Sequence, residues 1–341
     1  MKLYCGIDLH SDNSFVVVID ETEKILYKKR LVNNLELILQ VLLPHKESIQ
    51  GIVVESTYNW YWLVDGLQLA GYSVHLANTA AIQPYSGLKH TDDKDDALWL
   101  AKLLKLGLLQ EGYIYPKETR GLRELLRKRM MLVRQQTMNI LSIQSLITRY
   151  ENIRLTGTKL KSLVNDEEKI SLYLKDEHVK LAVKSQLAIL RCTMEQVDGL
   201  EKAILIKVKD DPLFVLVKSL PGVGSILGMT ILLETGDIKR FADVGNYGSY
   251  CRCVESKRIS NAKKKGENNR KNGNVYLGWA FIEATAAAIH HYPEIKKYYQ
   301  RKLGKTLRVV ALKTIANKLA RACYFVLRDG VPFDMRKSFI P

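Results

Sequence analysis

Three short acidic stretches carry the residue types for metal-assisted chemistry. Asp8 interrupts the apolar run "GIDLHSDNSFVVVID", Glu55 closes "GIVVES", and "TDDKDD" at 91–96 opens a helical pattern. An ionised carboxylate inside an apolar run is costly unless a cation or several donors meet it. On a helix, residues three or four apart share a face. Asp93 and Asp96 therefore continue into the apolar stripe Leu100, Leu103 and Leu104, whereas Asp92 and Asp95 run toward Trp99 and Lys102 and read as acids favouring the helix dipole. If the first region folds as a ribonuclease-H-like sheet, Asp8, Glu55, Asp93 and Asp96 converge. Such a cluster repels itself unless divalent cations occupy it, and hard oxygen donors suit Mg²⁺ or Mn²⁺. Two metals about 3.5–4 Å apart can orient an attacking oxygen and stabilise a leaving one in phosphoryl transfer. The stretch at Asp8 also resembles the first phosphate loop of actin-like sugar kinases. That reading needs a glycine-rich turn after the aspartate, and His10, Ser11, Asp12 and Asn13 provide none.

A second set of residues suits phosphate binding. Lys257, Arg258, Lys263, Lys264, Lys265, Arg270 and Lys271 crowd the polar segment "SKRISNAKKKGENNRKNGN" and would neutralise a nucleic-acid backbone. Arg120, Arg123, Arg127 and Arg134 line a face of a long helix and are candidates for RNA contact, although a solvated helix face has the same pattern. Gly222 and Gly224 in "SLPGVG" place a tight turn between apolar helical runs. That arrangement resembles a helix-hairpin-helix, whose amides meet phosphate, or a plain helix connection.

The elements that must position these groups follow from periodicity. Residues 2–30 read as a three-strand antiparallel meander, followed by alternating helices and strands through "GIVVES" and "YSVHLAN", which implies an α/β sheet covered on both faces. From about 115, past a seam at Pro116, the pattern becomes helical. Leu126, Val133, Ile140 and Ile147 recur every seven residues, and Val183, Leu187, Leu190, Met194, Val197, Ile204 and Val208 alternate steps of four and three around Glu201. These are coiled-coil seams, forming an antiparallel hairpin or a dimer contact. The expected organisation is an α/β domain over 1–112, a coiled-coil helical segment over 113–212 and a mostly α domain over 213–341.

With 52 Lys and Arg against 36 Asp and Glu, the 341-residue chain carries a formal charge of +16, which favours a polyanionic partner. No apolar run approaches a membrane span, and the opening "MKLYCGIDLH" has no apolar signal region, so a cytoplasmic, nucleoid-associated protein is expected. Five scattered cysteines argue against a disulfide framework, and Cys251 with Cys253 is only half a zinc clip.

Together, "GIDLH", "VVEST", "TDDKDDALWLAKL", "LRELLRKRMMLVRQ", "SLPGVG" and "SNAKKKGENNRKNGNVYL" resemble the one-ten family of bacterial insertion-sequence transposases, in its branch related to the eleven-eleven elements. The likeness runs in order along essentially the whole chain. It implies an N-terminal DEDD domain like that of the resolvase RuvC, with the tetrad on Asp8, Glu55, Asp93 and Asp96. It further implies a coiled-coil segment and a C-terminal domain whose nucleophilic serine falls on Ser260. Asn261 follows where relatives usually have glycine, Ser256 lies nearby, and Ser11 stands where many relatives have lysine. A serine hydroxyl needs a base or metal to activate it, and the cations around Ser260 offer no base. The expected function is therefore a Mg²⁺-assisted DNA recombinase working through Ser260 as a homo-oligomer, guided by an element-encoded structured RNA. Its rivals are a resolvase-type nuclease using water and a non-catalytic nucleic-acid scaffold.

Overall fold

The computed structural model describes residues 1–79, 82, 93–256, 258–267 and 272–339, with backbone alone at 93, 94, 167, 171 and 258. Asp92, Lys257, Arg270 and Lys271 lie outside the described residues. The chain divides into two compact units. One comprises Met1–Ile114 with Ser256–Asn272, the other Tyr115–Glu255 with Gly273–Pro341.

The first unit is built on β1 (Leu3–Leu9), β2 (Asn13–Asp20), β3 (Ile25–Val32), α1 (Leu35–Leu42), β4 (Ile49–Glu55), α2 (Tyr61–Leu69), β5 (Val74–Ala77), α3 (Asp93–Lys105) and β6 (Glu111–Gly112). The strands form one mixed sheet in the order β3-β2-β1-β4-β5-β6. β1 pairs antiparallel with β2 and parallel with β4, as a meander followed by a crossover requires. β2 is a nearly continuous apolar run because both its faces are covered, whereas β3 carries Lys28, Lys29 and Arg30 and lies at the edge.

Strand parity decides which side chains meet which helix. Cys5, Ile7, Leu9, Ile52 and Val54 pack with Ile38 and Leu42 of α1 and Leu63 and Leu67 of α2. The alternate residues face α3: Val17 and Ile19 pack with Ala97 and Ala101, and Val53 packs with Leu100. Gly6 allows that helix to approach, since a Cβ there would lie 2.0 Å from the Ala97 carbonyl oxygen. By the same parity Asp8 and Glu55 belong to the α3 face.

In the second unit, α4 (Lys117–Glu151) and α7 (Glu177–Val208) are the long helices, separated by α5 (Gly157–Leu163) and α6 (Glu167–Ser171). Arg129 meets Glu201 and Ser142 meets Gln186, so the two helices run antiparallel. Ile140, Ile143 and Ile147 share a core cluster with Val183, Leu187 and Leu190. Of the two arrangements expected for the seams, the structure has the intrachain hairpin.

The remainder is α8 (Pro212–Lys218), α9 (Ser225–Thr235), α10 (Val244–Tyr250), α11 (Val275–His291), α12 (Pro293–Leu303), α13 (Arg308–Asp329) and α14 (Met335–Phe339) around Tyr247, Phe281, Leu319 and Cys323. Between α10 and α11 the chain makes β7 (Arg258–Ser260) and β8 (Lys263–Gly266), the two-stranded hairpin of the first unit. Among the described residues no helix is long and apolar enough to cross a membrane.

Candidate active site

Asp8 is 2% exposed near the end of β1, and the pairing of Ile7 with Val54 brings Glu55 alongside it. Burial, a hydrogen bond with Asp8, and the negative charges of Asp8 and Asp96 together push the Glu55 carboxyl up to about 8. Asp96 thus lies close enough on α3 to act on Glu55, while Asp95 turns toward β3, 4.0 Å from Lys28. The Asp93 side chain is outside the described set. His10 Nε2 is 3.0 Å from Asp8 Oδ2, a neighbour that the sequence reading passed over. Its signal is the spacing in "GIDLH", since residues two apart on a strand share a face.

Among the described residues, no group of three or more His, Cys, Asp or Glu side chains forms a metal-holding array. The donor chemistry nevertheless fits a hard divalent cation. The Asp8 and Glu55 carboxylates touch, that of Asp96 acts on Glu55, and all their donors are oxygen.

Ser260 stands at the tip of the β7–β8 hairpin, paired with Lys263 across the turn, and is exposed. Asn261 and Ala262 have φ of 50° and 57°, the two left-handed residues of a type I′ turn. Asparagine tolerates that conformation nearly as glycine does. Ala262 adopts it at a steric cost of about 1–2 kcal/mol. Ser256 Oγ is buried, with no hydrogen-bond partner among the described residues. Lys263, Lys264 and Lys265 are all exposed along β8.

The arginine face on α4 is corrected by the structure. Arg120 is buried and donates from Nε to the Tyr115 carbonyl, and Arg123 is buried and donates from Nε to Glu234 Oε2 at 2.9 Å. Arg127 donates from Nε to Glu234 Oε1 at 2.7 Å and from Nη2 to Oε2 at 3.0 Å. Arg123 and Arg127 turn toward the protein because the buried Glu234 needs countercharge, and Arg120 turns to a backbone carbonyl; only Arg134 of the four remains exposed. Glu234 was not anticipated, yet a lone acid in the apolar helix "SILGMTILLETG" was the available signal. Gly222 has a packing role in the turn: its φ is 77°, and a Cβ would lie 2.0 Å from the Ala284 carbonyl oxygen. Gly224 caps α9 and faces open space.

A DEDD transposase family model for IS110 matches residues 5–152, and a transposase model for the IS116/IS110/IS902 family matches residues 215–300. The chain is 28% identical over 158 residues to the insertion element IS110 uncharacterized 43.6 kDa protein of Streptomyces coelicolor, covering 46% of this chain and 39% of that protein. It is 24% identical over 298 residues to the transposase for insertion sequence element IS1111A of Coxiella burnetii, covering 84% of this chain and 78% of that one.

Proposed function

Because the chain belongs to the IS110 family of transposases, we propose that it is a DNA recombinase that cuts and rejoins strands through Ser260 with divalent-metal assistance. The observation that carries this reading is the convergence of Asp8, Glu55 and Asp96, in the compact unit that also contains the Ser260 hairpin. Asp8, Glu55, Asp93 and Asp96 would hold Mg²⁺ or Mn²⁺. A bound ion there supplies charge stabilisation at the phosphate and activation of the attacking oxygen.

The Ser260 hydroxyl loses its proton as its oxygen bonds to phosphorus, and the displaced strand oxygen takes up a proton. A hydroxyl of the incoming strand then reverses the exchange and frees the serine. Lys263, Lys264 and Lys265, with Lys257, Arg258, Arg270 and Lys271, neutralise backbone phosphates around the cut, and exposed Arg134 offers a further contact. Gly224, on the open side of its turn, is the better placed of the two turn glycines for phosphate. The partners in this reading are DNA, an element-encoded guide RNA and further copies of the chain, acting in the cytoplasm on the nucleoid.

The test compares variants on labelled substrate DNA with its guide RNA, with Mg²⁺, with Mn²⁺ and with chelator. Asp8→Asn and Asp96→Asn are expected to abolish cleavage and leave binding intact, Asp95→Asn to keep most activity, and chelation to reproduce the inactive variants. Cleavage that survives chelation, or an inactive Asp95→Asn beside an active Asp96→Asn, would reject the metal assignment.

A further inference from the structure

Within the second unit, a cavity of about 450 Å³ opens between one face of α13 and the chain that returns beyond it. That volume lies in the range of roughly 300–1,000 Å³ of ordinary ligand sites. Gly330, at a φ of 67°, ends α13 in the left-handed conformation and turns the chain back. The returning chain is fastened at both ends: the Phe333 amide donates to Ser219 Oγ at 2.8 Å, and Lys318 Nζ donates to the Ser338 carbonyl at 2.8 Å. Phe325, 38% exposed, Val331 and Pro332 give the cavity an apolar wall, while Lys318, Arg321 and Lys337 give it cations.

The charges of the cavity are not balanced from within. Both acids in its lining are already engaged: Asp329 takes two bonds from Arg328 and feels the charge of Lys337, and Asp334 accepts from the Arg336 amide. Lys318 Nζ instead lies 5.2 Å from the Tyr298 ring centroid and 5.5 Å from that of Phe339, and Lys302 shares the Tyr298 ring. Among the described residues no carboxylate pairs with Lys302, Lys318 or Arg321. Burial first, and then the charges of Lys302 and Arg321, hold the Lys318 ammonium below its ordinary value. An anion set between these cations would relieve their repulsion.

On α13, Arg321 and Phe325 are four residues apart, so they share a face and stand about 6 Å from each other along the axis. A cation and an exposed aromatic ring at that spacing match a phosphate and its own base, which are one sugar apart. A duplex keeps its bases stacked inside, so an unpaired nucleotide is the form that offers both groups at once.

We propose that this cavity binds one unpaired nucleotide of a nucleic-acid strand, with the base against Phe325 and the phosphate at Lys318 and Arg321. Taking the nucleotide as part of a strand rests on the transposase reading.

The test titrates full-length protein against labelled oligodeoxyuridylate, oligouridylate and a DNA hairpin duplex, with fluorescence anisotropy as the readout. Phe325→Ala is expected to weaken single-strand binding about ten-fold, toward the low end of what one stacked base contributes, and to leave duplex binding unchanged. Phe325→Tyr keeps the ring and should keep the affinity. Arg321→Ala should flatten the dependence of log affinity on log salt by about 0.7, the share of one single-strand phosphate contact. A loss confined to oligouridylate assigns the nucleotide to RNA, a loss confined to oligodeoxyuridylate assigns it to DNA, and a loss in both assigns it to either strand.

Single-strand binding untouched by Phe325→Ala, an equal loss on the duplex, or a Phe325→Tyr variant no better than Phe325→Ala would overturn the proposal while leaving the transposase reading in place. Phe325-dependent strand binding by a wild type that cuts no DNA would leave the cavity's role standing and count against the recombinase reading.

Discussion

A carboxylate as buried as Glu234 stays ionised only while cations face it. Burial alone would raise its pKa, but hydrogen bonds from Arg127, the charges of Arg123 and Arg127, and the Asn274 amide outweigh burial and hold it below the ordinary glutamate value. Because the folded value is the lower one, the resulting stability is complete above the unfolded pKa of about 4.3 and is lost as pH falls through the depressed folded value. Glu234→Gln leaves Arg123 without its carboxylate partner and Arg127 with only Glu124, 3.7 Å away, and should cost about 3–5 kcal/mol near neutrality. Urea unfolding of the wild type should weaken between about pH 5 and pH 3 by more than that of Glu234→Gln, since the variant has no such proton to bind. Equal acid sensitivity in the two proteins would show that Glu234 contributes nothing through its charge.

At the scale of elements, the site depends on how closely α3 lies on β1. Gly6→Ala drives a methyl into the Ala97 carbonyl, so helix and strand must separate. The expected cost is about 1–3 kcal/mol in urea unfolding, as for other overpacked cores, with a larger proportional loss of metal-dependent cleavage because Asp96 moves away from Glu55. A Gly6→Ala variant with wild-type stability and activity would mean that the approach is not needed. Much of this architecture was legible in the sequence, because strands with alternating or continuous apolar runs announce themselves and the Asp96–Leu100–Leu103 stripe marks the inner face of α3. The fate of the α4 arginines was not legible. A guanidinium facing solvent and one facing a buried acid more than a hundred residues away produce the same helical spacing, and only the tertiary fold separates them. The bond from Asn274 to Glu234 was hidden for a similar reason, since an asparagine before an apolar helix looks like a cap and nothing more.

For the whole molecule, the two compact units share out the chemistry in a way that sequence order does not reveal. The serine segment, some 165 residues downstream of the acidic helix start, is grouped with the N-terminal sheet, although the chain on both sides of it belongs to the helical unit. The +16 charge supplies affinity for a polyanion but no cutting, so the central claim concerns the Ser260 hydroxyl. It is tested most directly by incubating wild type and Ser260→Ala with end-labelled substrate DNA, guide RNA and Mg²⁺, then resolving the products on denaturing gels before and after protease treatment. The account predicts that the wild type yields a protein-linked, protease-sensitive DNA species and that Ser260→Ala yields neither that species nor cut strands while still binding DNA. Full cleavage by Ser260→Ala, with free DNA ends and no adduct, would contradict it and leave a nuclease that uses water.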